Sequence, residues 1–210
     1  MAHKPLIALI TAFGFFQASA CAEGIPPGGC HDPDRPGTAL LRPAPVRYPE
    51  AGKEATASGR DPATGYAWAV VDAMIPSPLA PLLKRAADPL TTKGPENKGI
   101  EVIPLKLQGT WRKDRVHVRI KPVFFLTLEW DEDWSTVIKE GTADAPKAAL
   151  VMYQKTNGTS HIEHFCGNIL LERISDAATG IHLVEEIKAD RRSPEDVLNG
   201  LRGTLQTLQK

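Results

Sequence analysis

The 210-residue chain carries 25 basic and 25 acidic side chains, a formal net charge of zero. That balance argues against nucleic acid as the main partner, because such a partner calls for a clustered basic surface. Hydrophobic residues at 42% and charged residues at 24% give an ordinary globular composition, in a chain long enough for one domain with a substantial core.

The first twenty residues stand apart. Met1-Ala-His-Lys is a short basic start, Pro5 to Phe16 an apolar run, and Ala18-Ser19-Ala20 supplies the small residues a signal peptidase needs. The run is too short to cross about 30 Å of hydrocarbon as a helix, so residues 1–20 read as a cleaved signal peptide. The mature protein is then exported from a bacterial cell, to the periplasm, the outer membrane or the medium. Ala18-Ser19-Ala20-Cys21 resembles the bacterial lipobox, departing from it at Ala18, where leucine is usual. The resemblance makes Cys21 a candidate for acylation and a membrane tether; the alternative is plain cleavage near Ala20 or Ala22. If Cys21 carries lipid, Cys30 and Cys166 remain to pair in an oxidising compartment. If it does not, Cys21 and Cys30 are close enough to pair with each other, leaving Cys166 free.

Residues 21–65 contain Pro26, Pro27, Pro33, Pro36, Pro43, Pro45, Pro49 and Pro62 with no apolar period. Such a stretch cannot bury enough surface to offset its ordering entropy, and it reads as an extended, largely disordered tether. Cys30-His31-Asp32 lacks the second ligand pair of a structural zinc site, so no metal is expected there.

The folded domain is expected over residues 66–210. Tyr66 to Ile75 is apolar and strand-like. Ser77-Pro78 follows as cap and first helical residue, opening a short helix that ends near Asp88-Pro89. Thr91 to Gly99 reads as a polar loop. Val102 to Leu107 is an edge strand marked by Pro104. Arg115 to Lys121 alternates cleanly, with Val116, Val118 and Ile120 on one face and His117, Arg119 and Lys121 on the other. Val123 to Trp130 is apolar on both faces, as in a central strand. Ala148 to Tyr153 is a further strand, and Asn157-Gly158 after it signals a tight turn. His161 to Ile174 suits a long strand bent at Gly167. Thr179-Gly180 turns into a last strand, Ile181 to Ala189.

Ser193-Pro194-Glu195-Asp196 then opens a helix with a cap, a first-turn proline and two acids. Val197, Leu198, Leu201, Leu205 and Leu208 form one apolar stripe at helical spacing. Gly200 and Gly203 each weaken such a helix by about 1 kcal/mol relative to alanine, so burial of the stripe must hold it. The order strand, helix, six strands, long helix predicts an α+β helix-grip fold: a curved antiparallel sheet of about seven strands wrapped around the C-terminal helix.

Tyr66-Ala-Trp-Ala-Val-Val-Asp-Ala-Met-Ile-Pro with its helix, Lys121-Pro-Val-Phe-Phe, Glu129-Trp-Asp-Glu-Asp-Trp, and Asn157-Gly-Thr-Ser-His-Ile-Glu-His with Cys166-Gly167 resemble successive segments of the START-like superfamily, also called Bet v 1-like or SRPBCC. The resemblance covers residues 66–210. It implies a cavity between sheet and C-terminal helix that accepts a hydrophobic small molecule or lipid, with no cofactor. Candidate cavity residues are Arg119, Glu129, Trp111, Trp134, Met152, His161, Glu163, Leu201 and Leu205, with Trp68 and Trp130 assigned to the core. Arg119 and Glu129 fix a ligand's polar end if they point inward, and contribute little if exposed.

Two other readings stand beside ligand binding. A cyclase- or hydrolase-type enzyme would use the His161, Glu163, His164 and Cys166 region. Strand alternation puts only His161 and Glu163 on one face, too few for a metal without His182 or Glu185. His164 and Cys166 share the other face, where a base and thiol could meet. A ligand-free envelope interaction module with a filled core is the third.

Overall fold

The computed structural model describes residues 47–93, 99–105, 112–123, 126–190 and 192–210. Their order is β1 (Glu54–Arg60), β2 (Ala67–Ile75), α1 (Leu79–Ala86), α2 (Pro89–Thr92), β3 (Ile100–Leu105), β4 (Arg112–Val123), β5 (Leu126–Gly141), β6 (Pro146–Gly158), β7 (Ile162–Ser175), β8 (Ala178–Ala189) and α3 (Pro194–Gln209). The strands form one antiparallel sheet of eight, ordered β1-β2-β8-β7-β6-β5-β4-β3. Crossing from β2 to β8 places the first and last parts of the domain side by side, and α3 lies against β1, β2 and β8. This is the helix-grip arrangement, with eight strands rather than about seven.

The extra strand is β1. Glu54-Ala-Thr-Ala-Ser-Gly-Arg has no apolar alternation, because an exposed edge strand has nothing to bury. Order therefore begins before residue 66, inside the stretch whose composition predicts a tether. A second correction concerns Val123 to Trp130, which is not one central strand. Val123 closes β4 and pairs with Leu126, which opens β5. The strand then runs on through Asp131-Glu-Asp-Trp to Gly141, with a register shift at Asp131/Glu132. Its acids hide it from a hydrophobic pattern. Third, α1 starts one residue later than expected: Pro78 holds the cap position and no side chain caps the helix. A short helix, α2, replaces the start of the expected polar loop, capped by the Asp88 carboxylate accepting from the Leu90 amide. Gly167 is not bulged: it pairs regularly with Tyr153 and Glu185.

The last helix is built as its sequence predicts. Ser193 caps it in a reciprocal box with Asp196, whose carboxyl these hydrogen bonds hold below its ordinary value. Val197, Leu198, Leu201, Leu205 and Leu208 are all buried. At about 1.5–3 kcal/mol each, this stripe outweighs the two glycines. It beds on Ala67, Ala69, Val71 and Ala73 of β2 and Ile181 and Leu183 of β8, one core cluster with Leu79, Leu82, Leu83 and Ala86 of α1. The small residues of β2 let α3 sit close at this end of the sheet.

Candidate functional site

Toward the other end, large rings hold helix and sheet apart. Trp130 and Trp134 of β5, Tyr153 of β6 and Phe165 of β7 project from the concave face. The Trp134 and Tyr153 rings stack at 4.8 Å, and Tyr153 meets Phe165 at 5.5 Å. Between these rings and α3 lies a cavity with two adjoining lobes. The larger one, about 770 Å³, is walled by Leu126, Leu128, Ile162, Ile187 and Val197, with His161, Asp190 and Arg192 among its polar residues. The smaller one, about 580 Å³, is bordered by Thr204 and Thr207 and by Lys93 and Trp134. Ile120, Trp130, Phe165, Glu185, Arg192 and Gly200 border both. A Cβ at Gly200 would meet only Glu185 Oε1, at 4.0 Å, and one at Gly203 nothing within 4 Å, so open space lies before both positions. The glycines that cost the helix stability leave the cavity open.

Two carboxylates stand beside this space, one enclosed in the core and one half-buried on the border of both lobes. Glu132 of β5 is fully buried, accepting from Trp130 Nε1 at 2.6 Å, Trp134 Nε1 at 2.8 Å and Lys93 Nζ at 2.8 Å. Lys93 Nζ also lies 5.2 Å from the Phe165 ring centre and 5.8 Å from that of Trp134. A buried carboxylate with three donors is a satisfied structural group.

Glu185 is different. Tyr153 Oη donates to its Oε2 at 2.9 Å, and the residue borders both lobes. Burial pushes its carboxyl up to about 7, against the lowering effect of the Tyr153 hydroxyl and Lys93. Burial likewise holds the Tyr153 hydroxyl well above its usual range. The pair exists because of Gly167. Tyr153, Gly167 and Glu185 are register neighbours on β6, β7 and β8. A Cβ at Gly167 would overlap the tyrosine ring, so only glycine lets that ring lie across β7 and reach Glu185. Near neutral pH, Glu185 is thus a carboxyl able to donate or accept a hydrogen bond where the two lobes meet.

The predicted residues are scattered. Trp134 lines the smaller lobe and His161 the larger, where its Nδ1 is 2.7 Å from Asp190. Leu201 and Leu205 lie in the core beneath α3 rather than among the cavity walls. Arg119 and Glu129 pair at 2.8 Å but on the convex face, both about half exposed. Their register neighbours Val118 and Trp130 take the inward positions. Met152 is fully buried, also on the convex side, with Leu150 and Leu170. Glu163 is exposed and pairs with Lys188 at 2.7 Å. Trp111, Cys21 and Cys30 lie outside the described residues. Tyr153, Phe165, Glu132 and Lys93 escaped the sequence reading, and Gly200 entered it only as a residue that weakens the helix, although two glycines in one helix were a visible signal.

His161, Glu163, His164 and Cys166 do not converge in one pocket. His164 and Cys166 lie on the convex face, with Nε2 3.2 Å from Sγ and 2.8 Å from Glu186 Oε1. The three ligand atoms of His164, Cys166 and Glu186 fall within 4.8 Å of one another, the spacing of a metal site. Cys166, however, is disulfide-bonded, so its sulfur is no thiolate ligand. Nor do His182 and Glu185 complete a set with His161: His182 Nδ1 contacts Asp72 at 2.5 Å on the convex face, and Glu185 points inward.

No protein-family model matches the chain, and no curated protein matches it in sequence. Solved structures do match in fold. The lipid transfer and protein localization domain of human StarD13 aligns with TM-score 0.53 at 10% identity, over 78% of this chain and 83% of that one. A fragment of the STAR-related lipid transfer protein from Xanthomonas axonopodis aligns with TM-score 0.51 at 14% identity, over 77% of this chain and 94% of that one. The chain has the START-like helix-grip fold.

Proposed function

We propose that the protein binds a hydrophobic small molecule or lipid in the cavity between sheet and α3, with a polar end hydrogen-bonded to Glu185. The observation that carries this reading is the cavity itself: aromatic and aliphatic side chains beneath α3, with Glu185 on the border of both lobes and its carboxyl raised by burial. Ligand sites typically combine such walls with a few convergent polar groups. The StarD13 domain and the Xanthomonas protein, both described as lipid transfer proteins, support the choice of ligand class. The enzyme reading loses its support at the four residues first considered, which share no pocket.

Native mass spectrometry after gentle purification tests the proposal. A copurified apolar species, released on denaturation, is the expected result. Apo protein that also fails to take up added lipid or an environment-sensitive dye would overturn it. Export through residues 1–20, and attachment through an acylated Cys21, belong to the same proposal. They rest on the basic start, apolar run and small residues ahead of Cys21. The whole-protein mass from cells reads both: loss of twenty residues with a diacylglyceryl and acyl addition supports the tether, and an unmodified Met1 start refutes export.

A further inference from the structure

Glu185 stands where the two lobes meet, and among the described residues no cation pairs with it. Its hydrogen bond comes from a neutral donor, the Tyr153 hydroxyl, and goes to Oε2. Lys93 borders the smaller lobe with it but gives its ammonium to Glu132 at 2.8 Å. The second carboxylate oxygen, Oε1, is the atom a Cβ at Gly200 would meet, at 4.0 Å, with nothing else within that distance. Oε1 thus faces the gap beneath α3 that joins the lobes.

The other charges around the cavity lie toward solvent. His161 and Asp190 of the larger lobe contact each other at 2.7 Å, and Asp196 caps α3 through Ser193. Arg192, on the border of both lobes, and Lys210 of the smaller one are exposed, so water and salt screen them. Burial raises the Glu185 carboxyl despite the opposing influence of Lys93 and Arg192. A place where one carboxylate is already costly will not take a second anion a few ångströms away.

We infer that Glu185 is a charge filter, selecting amphiphiles whose polar end carries a hydroxyl or an ammonium and turning away those that end in a carboxylate or phosphate. The inference rests on the reading of the cavity as a ligand site and adds the sign of the ligand's head. A hydroxyl donates to Oε1 when the carboxyl is ionised and accepts from it when it is protonated. An ammonium supplies the absent counter-charge. A carboxylate head has no proton to donate and meets a like charge. The apolar body of each ligand has the same place, among Leu126, Leu128, Ile162 and Ile187 of the larger lobe.

The test compares three twelve-carbon amphiphiles that differ in their polar ends: monolauroylglycerol, dodecylammonium and laurate. Each is titrated below its micelle concentration against full-length wild-type protein, E185Q and E129Q at pH 8.5, where Glu185 is ionised. Wild type should bind monolauroylglycerol and dodecylammonium, and laurate at least 10-fold more weakly than monolauroylglycerol. E185Q should bind laurate at least 10-fold more tightly than wild type does, lose at least 10-fold in dodecylammonium affinity and keep monolauroylglycerol within about 3-fold. E129Q removes the same charge from the convex face, and should discriminate as wild type does. Laurate bound by wild type as tightly as monolauroylglycerol would overturn the filter and leave the cavity reading standing, as would a preference that persists in E185Q or vanishes in E129Q. Failure of wild type to bind any of the three overturns both.

Discussion

Replacing Glu185 by glutamine should flatten the fall in stability that the wild-type protein shows between about pH 4.5 and pH 7. Among the described residues Glu185 is the carboxyl whose folded environment moves it far up, from 4.5 to about 7, and burial is the main cause. A carboxyl raised in this way binds its proton more tightly in the folded state than in the unfolded one. Its stabilising contribution is therefore complete below about pH 4.5 and lost as pH rises through about 7. At about 1.36 kcal/mol per pH unit, the loss is on the order of 3 kcal/mol. E185Q keeps the side-chain shape and an acceptor for Tyr153 Oη but cannot ionise. Urea unfolding of both proteins at several pH values from about 4.5 to 8 isolates the effect, because every other titrating group is common to the two. The stability difference between variant and wild type should shift in favour of the variant by about 3 kcal/mol across the window. Parallel profiles would refute both the placement of Glu185 and its role as the cavity's switchable donor.

Three further substitutions separate inward from outward roles. G167A should push the Tyr153 ring off β7 and break its bond to Glu185; at about 1.5–3 kcal/mol for a hydrogen bond to a charged group, calorimetry should show a melting point lowered by roughly 5–10 °C. E132A strands the Trp130 and Trp134 indole donors and leaves the Lys93 ammonium without its carboxylate. Breaking a buried pair in this way costs about 3–5 kcal/mol, readable as a displaced urea midpoint. R119A removes an exposed pair, and should change stability by at most about 1 kcal/mol while leaving dye or lipid binding untouched. A binding defect in R119A would place the ligand on the wrong face of the sheet.

The architecture was readable where burial is one-sided. Val116, Val118 and Ile120 alternate because β4 has one wet face, and α3 is visible because its stripe, cap and first-turn acids agree. Legibility failed where burial or exposure is complete. β1 buries almost nothing and so leaves no pattern, while β5 carries Glu132 inward, between outward-facing Asp131 and Asp133, to satisfy two indoles and a lysine. The site was harder still. Arg119 and Glu129 were legible as cross-strand partners with their face left open, although the alternation of Val116, Val118 and Ile120 already sets Arg119 on the wet side of β4, where the pair lies. Tyr153, Gly167 and Glu185 are separated by 14 and 18 positions, and only the register of β6, β7 and β8 makes them neighbours. The glycines of α3 look like weak helix formers until the cavity they border is seen.

The central claim is that the space beneath α3 is a ligand chamber, and Gly200 gives the most direct access to it. In G200F the ring would enter the junction of the two lobes, where no atom other than Glu185 Oε1 lies near a Cβ. Removing a helical glycine favours the helix itself by up to about 1 kcal/mol, so the variant should fold at least as stably as wild type. Titration with an environment-sensitive apolar dye should then give saturable one-to-one uptake by wild type and at least 10-fold weaker uptake by folded G200F. Equal uptake by both proteins would contradict the account.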